Sequence, residues 1–452
     1  MIFSSFGKAK DRERSSGRSG GRGRRRDPIR PKPCLPSGQA GAKLFFAKTG
    51  YVLTRRGACD PCSGDAAPAG WNRDVVCGGP AARRGGLAAR RDVERRSARG
   101  RREPRRPGAA DAAHLEAEEA RDAGGGVSGR TLLTGATGTV GHAIARALLA
   151  EGRAVRALVR DVERGRELVP DRVELVAGDV TDAASVRRAV AGCDVVYHAS
   201  GLPEQWLPDP ATFRRVNYEG TRHVLEAALA ENVRSFLYTS TIDVFVMPPG
   251  EPFDESRLDP APKATPYERS KQEADRLVAA ALERGLPARF LHPSGVYGPA
   301  PVPTGVNDFV RRLARGEIPM LLPGGMPVVF AADVARGHLL AERKAPVGGR
   351  FILSESYRSL EDMARVVQQY VPTARIPAIL PRWVAKAVST TGELWARFSG
   401  MAPLIPSGQL HFLTIEARPS SARAQRELGW EPTSFADGVR VTIADLKAHG
   451  LI

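Results

Sequence analysis

Arg130-Thr131-Leu132-Leu133-Thr134-Gly135-Ala136-Thr137-Gly138-Thr139-Val140-Gly141-His142-Ala143-Ile144-Ala145-Arg146-Ala147-Leu148-Leu149 reads as strand, glycine turn and helix. The entry is a short apolar run suited to a buried parallel strand, and the exit repeats apolar residues every three and four positions. The glycines follow GxxGxxG rather than the commoner GxGxxG spacing. Such a turn needs residues without side chains where the backbone takes positive φ and where it must lie against a pyrophosphate. The helix's amide groups and positive end then hold that pyrophosphate. The turn assigned to this task is Gly135, Ala136, Thr137, Gly138, Thr139, Val140 and Gly141.

Outward from the turn, strand and helix alternate, the pattern of a parallel sheet covered on both faces. Strands are expected at 154–159, 173–176, 194–198, 235–239 and 288–291, giving six with the first. The chain is expected to return to the sheet at 327–330 and 350–353. Beyond Tyr297 prolines become frequent and helical patterning dominates. The fold class expected is α/β: a doubly wound parallel sheet over residues 128–298, with returning strands near 327–354. Residues 299–452 would form a smaller, mostly helical substrate lobe.

The formal charge of +17 is located before it is interpreted. Residues 1–127 hold 28 Lys and Arg against 14 Asp and Glu, and the remainder holds 39 against 36. The body is therefore nearly neutral, and no nucleic-acid partner is expected for it. The basic segment, rich in Arg, Gly and Pro, has too little apolar surface to offset the entropy of ordering. It is expected to be a disordered extension, with the working protein starting near Val127. A basic arm for anionic polymers or lipids and a zinc site at Cys59 and Cys62 with Cys34 and Cys77 are competing readings. In the body only Cys193 remains, which fits a reducing cytoplasm. No apolar run reaches the length of a transmembrane helix, and no metal ligand set is read there.

The second strand ends at Val159-Arg160-Asp161. An acidic side chain at that tip accepts from the adenine ribose, whereas an arginine suits a 2′-phosphate. Arg160 favours NADP, and Asp161, one residue late, keeps NAD open. Asp179 can accept from the adenine amino group while Val180 packs on the ring; the competing role for Asp179, or for Thr181 or Asp182, is to cap the next helix. Ala199 and Ser200 are small residues where the nicotinamide ribose would pass. His198 is expected to be packed rather than chemical.

Tyr267 and Lys271 lie four apart just after Pro266 and share one helix face. A free phenol titrates near 10, and bringing it toward neutrality takes about 4 kcal/mol. Lys271 and an oxidised nicotinamide are expected to supply much of that. The phenol would act as general acid on a carbonyl and as base on an alcohol. The fifth strand delivers Tyr238-Thr239-Ser240-Thr241 toward the same place.

Together these residues resemble the extended short-chain dehydrogenase/reductase family, also called the NAD-dependent epimerase/dehydratase superfamily. The matching segments are Thr134 to Gly141, Asp179-Val180, Val216-Asn217-Tyr218-Glu219-Gly220-Thr221, Tyr238 to Thr241, Tyr267 with Lys271, Pro293-Ser294-Gly295-Val296-Tyr297-Gly298-Pro299 and Ser420 to Trp430. The resemblance implies Thr241 as the catalytic hydroxyl, with Ser240 as the alternative, beside Tyr267 and Lys271. It implies Thr239, Lys271 and Pro293 near the nicotinamide, and Asn217 bracing the main chain behind the site. Where nucleotide-sugar members often carry Arg and Asn, this chain has His292 and Gly295, so it looks more like the 3β-hydroxysteroid dehydrogenase and dihydroflavonol-reductase branch. The implied activity is NADP- or NAD-dependent oxidoreduction of an apolar small molecule. An NAD-retaining epimerase or dehydratase and a non-catalytic dinucleotide sensor are the alternatives. Members of the family often form homodimers.

Trp206 falls where a substrate loop should cross. Residues 380–398 put apolar side chains on a helical stripe, which suits a substrate wall, a membrane-surface face or a lobe helix packing its own core.

Overall fold

The computed structural model describes residues 129–452; the disorder, basic arm and cysteine cluster expected for residues 1–127 lie outside them. Strands β1 (Arg130–Thr134), β2 (Val155–Val159), β3 (Glu174–Ala177), β4 (Cys193–His198) and β5 (Ser235–Thr239) follow one another with helices between. Then come β6 (Pro252–Phe253), β7 (Ala288–Pro293), β8 (Gly295–Tyr297), β9 (Gly325–Phe330), β10 (Arg350–Leu353), β11 (Ser356–Ser359) and β12 (Arg418–Pro419). Seven form one sheet in the order β10-β7-β5-β4-β1-β2-β3, every neighbouring pair parallel. This is the doubly wound fold. Its strand order reverses between β1 and β4, and such sheets bind ligands at the carboxyl ends of the strands beside that reversal.

Alternation of side chains across β1 explains the two cores. Leu133 joins Ile144, Leu148, Tyr197, Val334 and Leu339 on one face; Leu132 joins Val186, Val196, Val224, Phe236 and Val278 on the other. Helices leave the sheet where short polar residues cap them. Asp161 accepts from Arg164 N at the start of Val162–Leu168, and Asp182 accepts from Ala184 N and Ser185 N at the start of Ala183–Val190.

One expected return to the main sheet is corrected. Residues 350–353 do join it, beside β7, but 327–330 belong to β9 of a separate three-stranded sheet, parallel to β8 and antiparallel to β11. The place next to β7 is filled by β10, and an apolar run does not state which sheet it will enter. The chain beyond residue 299 also contributes to the first core. The helix Ala331–Lys344 and the buried Trp430 pack there, while Tyr297, Phe309, Val328, Met363 and Phe435 form a further core.

The helix Arg382–Ser399 carries the expected stripe, but turned outward. Ala385, Ser389 and Ala396 are buried, whereas Trp383, Leu394, Trp395 and Phe398 are 75%, 56%, 62% and 81% exposed. The stripe therefore does not pack a core of its own. Among the described residues no helix is long and apolar enough to cross a membrane.

Candidate active site

At the end of β1 the turn takes the form its glycines require. Gly135 has φ +77°, and a Cβ there would lie 2.7 Å from the Ala199 carbonyl oxygen. A Cβ on Gly141 would come within 2.1 Å of the Gly135 oxygen, so helix and turn close on each other only through two glycines. The helix Thr139–Ala150 starts at Gly138 with no side-chain cap and no acidic residue in its first turn. Its first amides have no intrahelical partner, and the cradle fits a dinucleotide pyrophosphate. Ala136 is buried, Thr137, Thr139 and Val140 are half-buried, and Gly138 is exposed.

The adjacent β4 end is tied to this turn. Ser200 N donates to Thr134 Oγ1 (3.2 Å), which bonds His198 Nδ1 at 2.7 Å. His198 Nε2 meets Thr221 Oγ1 at 2.9 Å, and Thr221 donates to Asn217 O. That chain calls for a neutral imidazole with its proton on Nε2. Burial and the Lys271 charge lower its pKa to about 3. His198 is structural, as expected. Asn217 sits on a π-helical turn, Arg214–Glu219; it accepts from Leu202 N at 2.7 Å and donates to Ser270 Oγ at 2.9 Å. It thus holds the segment that follows β4, through Leu202, to the helix carrying Tyr267.

That helix, Pro266–Leu282, begins with a capping box. Thr265 Oγ1 accepts from Glu268 N, Glu268 accepts from Thr265 N, and proline occupies the first turn, a start legible from residue types alone. Tyr267 is half-buried between the rings of Phe213 and Phe412, with centroids at 6.4 and 6.2 Å. Lys271 is buried; its Nζ donates to Thr239 O at 2.8 Å and lies 4.9 Å from the centre of the Tyr238 ring. A Cβ at Gly201 would be 4.0 Å from that ammonium.

The strand β5 separates the two candidate hydroxyls. Ser240 Oγ donates to the buried Asp275 at 2.6 Å, and Asp275 also accepts from Arg350. Thr241 Oγ1 instead donates to Asp243 Oδ2 at 2.6 Å and faces the Tyr267 phenol, whose pKa it lowers. Thr239 turns its hydroxyl to His338 Nε2 at 2.8 Å, away from the phenol. Pro293 ends β7 in register with Leu353, buried.

The phenol's electrostatics run against the expectation. Burial first, then the Asp243 carboxylate, push its pKa well above 10; Thr241 lowers it, while Glu268 and Glu204 raise it. Lys271 points to the Thr239 carbonyl, so its charge does not offset those carboxylates. Burial lowers the Lys271 ammonium to about 8, against the raising influence of Asp275 and Asp243. Sequence reasoning missed Asp243, Glu268 and His411 altogether. His411 Nε2 lies 3.7 Å from Glu268 Oε1; only folding brings these groups from three segments together.

At the adenine end, Asp161 is engaged as a helix cap, which leaves Arg160 exposed at the strand tip. Arg160 makes no ion pair among the described residues. The Asp179 carboxylate accepts from Thr181 N and Oγ1, both at 2.8 Å, so the capping role expected as its rival belongs to Asp182. Val180 is buried in the second core. Trp206 lies in the 201–207 loop, whose Gln205 carbonyl approaches Gly408.

Residues 131–353 match the model of the NAD dependent epimerase/dehydratase family. The chain is 32% identical to human 3 beta-hydroxysteroid dehydrogenase type 7 over 354 residues, covering 70% of this chain and 95% of that protein. It is 29% identical to sterol demethylase protein B of Methylococcus capsulatus over 327 residues, covering 71% and 99%. The crystal structure of gox2253 superposes with a TM-score of 0.62 at 31% identity, covering 72% of this chain and all of that one.

Proposed function

This chain belongs to the NAD dependent epimerase/dehydratase family, and on that premise we propose that it is an NADP-preferring oxidoreductase that reduces the carbonyl of an apolar small molecule. The observation that carries the reading is that Thr241 faces the Tyr267 phenol just beyond β5, while Lys271, on the same helix as Tyr267, reaches the Thr239 carbonyl. A bound nicotinamide dinucleotide supplies hydride chemistry there. Gly135 to Gly141 hold its pyrophosphate, Arg160 meets the 2′-phosphate, and Asp179 and Val180 flank the adenine. Ala199, Ser200 and Pro293 line the nicotinamide side, with Thr239 behind them.

Tyr267 gives its phenolic proton to the substrate oxygen, Thr241 donates a second hydrogen bond to that oxygen, and Lys271 holds the ribose. The phenol is protonated at neutral pH, the state in which it can give a proton to a carbonyl oxygen. Phe213 and Phe412 beside the phenol favour an apolar substrate. The relatives named as a sterol demethylase protein and a hydroxysteroid dehydrogenase agree with that.

The full chain should bind NADPH more tightly than NADH and oxidise it with one of three probes: a 3-ketosteroid, a dihydroflavonol or UDP-glucose. Tyr267→Phe should lower turnover by about 10²- to 10⁴-fold with NADPH binding retained. Undiminished turnover in that variant overturns the mechanism. NAD retained through purification, with UDP-glucose isomerised and no net redox change, overturns the reaction class.

A further inference from the structure

Thr241 has one hydroxyl proton and more than one group facing it. Its Oγ1 lies 2.6 Å from Asp243 Oδ2, accepts from Asp243 N at 3.4 Å and faces the Tyr267 phenol. A hydroxyl offers one donor and two acceptors. An ionised Asp243 can only accept, so the Thr241 proton must then point at the carboxylate. The Asp243 amide takes one lone pair, and with its single proton on the carboxylate Thr241 has none left to donate to a substrate oxygen. When Asp243 is protonated, its own O–H donates to Thr241, and the threonine proton can turn outward.

We propose that Asp243 is a positioning residue that sets the direction of the Thr241 hydroxyl: protonated, it frees that hydroxyl to hold the substrate oxygen beside Tyr267, and ionised, it withdraws it. The inference rests on the role given to Thr241 above. It adds a group outside the tyrosine, lysine and threonine, and a control exercised by one proton.

The surroundings allow both states near neutrality. Asp243 lies on the 3₁₀ turn Ile242–Val244 and is 5% exposed. Tyr267, Glu268 and Lys271 face it from the helix Pro266–Leu282, Lys263 from the loop before that helix, and His411 from the helix Ser407–Thr414. Burial and Glu268 push the carboxyl up, while the Thr241 hydrogen bond, Lys263 and His411 pull it down; the balance stands at about 7. With the proton present, two donors converge on one oxygen, the arrangement that stabilises a developing alkoxide.

The test uses the full chain, NADPH and the 3-ketosteroid probe. Wild-type kcat/KM for reduction should fall about a hundred- to a thousand-fold, the worth of one such donor, as pH rises through about 7. Asp243→Asn, whose amide can donate to Thr241 at every pH, should lose that limb and keep the low-pH rate. A limb that survives in Asp243→Asn, or a loss of rate equal at all pH values, shows a structural role only and overturns the proposal. Infrared difference spectra give a second measurement that needs no turnover. A protonated carboxyl band, absent from Asp243→Asn, should titrate near neutrality and move to higher pH in Thr241→Val, which removes the hydrogen bond that favours ionisation. Absence of that band overturns the proposal even if turnover is normal, whereas an active Tyr267→Phe overturns the functional reading instead.

Discussion

Asp161 is one position too late to serve as the acid at the β2 tip, and its carboxylate is engaged by the Arg164 amide. The neighbouring Arg160 is the side chain left facing out. Arg160→Ala should therefore weaken NADPH binding about tenfold, or about 1.4 kcal/mol, while leaving NADH binding within about twofold, read by fluorescence titration with both nucleotides. An equal loss for both would place the 2′-phosphate elsewhere. At this scale the shared helix face of Tyr267 and Lys271 was legible because it is set by helical spacing. Asp243 was not legible as a partner of Glu268 and His411, because nothing local says that residues 243, 268 and 411 will share one buried space.

The helix Pro266–Leu282 is set by its first residues, and so is the position of the phenol one residue after Pro266. Thr265→Ala removes the hydroxyl that caps Glu268 N and should cost about 1 kcal/mol, seen as a lower urea midpoint with unchanged slope. A variant as stable as the parent would mean that Glu268 and Pro266 suffice to start the helix. The helix Arg382–Ser399 teaches the opposite lesson. Its periodic stripe was readable, but which face turns inward was not: small side chains such as Ala385 and Ala396 let the helix lie close, and the large ones point away. Periodicity gives the angle between faces and leaves their destination to the neighbours.

Three imidazoles report on the molecule as a whole. His198, His292 and His338 lie between strands and helices, and burial lowers them to about 3, 4 and 4. In the unfolded chain each regains a pKa near 6.5. Each therefore contributes stability that is fully present above about 6.5 and is lost as pH falls toward 4, at up to about 1.4 kcal/mol per pH unit. Asp243, raised to about 7, works in the opposite sense over the same window. The urea midpoint should drop clearly between pH 7 and pH 5, and more steeply in Asp243→Asn. A flat midpoint would mean that these histidines are not held neutral by the fold.

Much of the fold was determined by the sequence alone, because the glycine turn and the alternation of apolar strands and helices are local patterns that admit few other packings. Those patterns predicted the strands that became β1 to β5 and β7 and the helix that presents Tyr267. Tertiary structure alone decided the rest: that β9 leaves the main sheet for a smaller one, that the apolar stripe of Arg382–Ser399 faces outward, and that Asp243 meets Thr241 inside a ring of titratable groups. The reason is one of range. Capping, helical spacing and strand alternation act over a few residues, whereas sheet membership, desolvation and a shared proton depend on which distant segments close around a group.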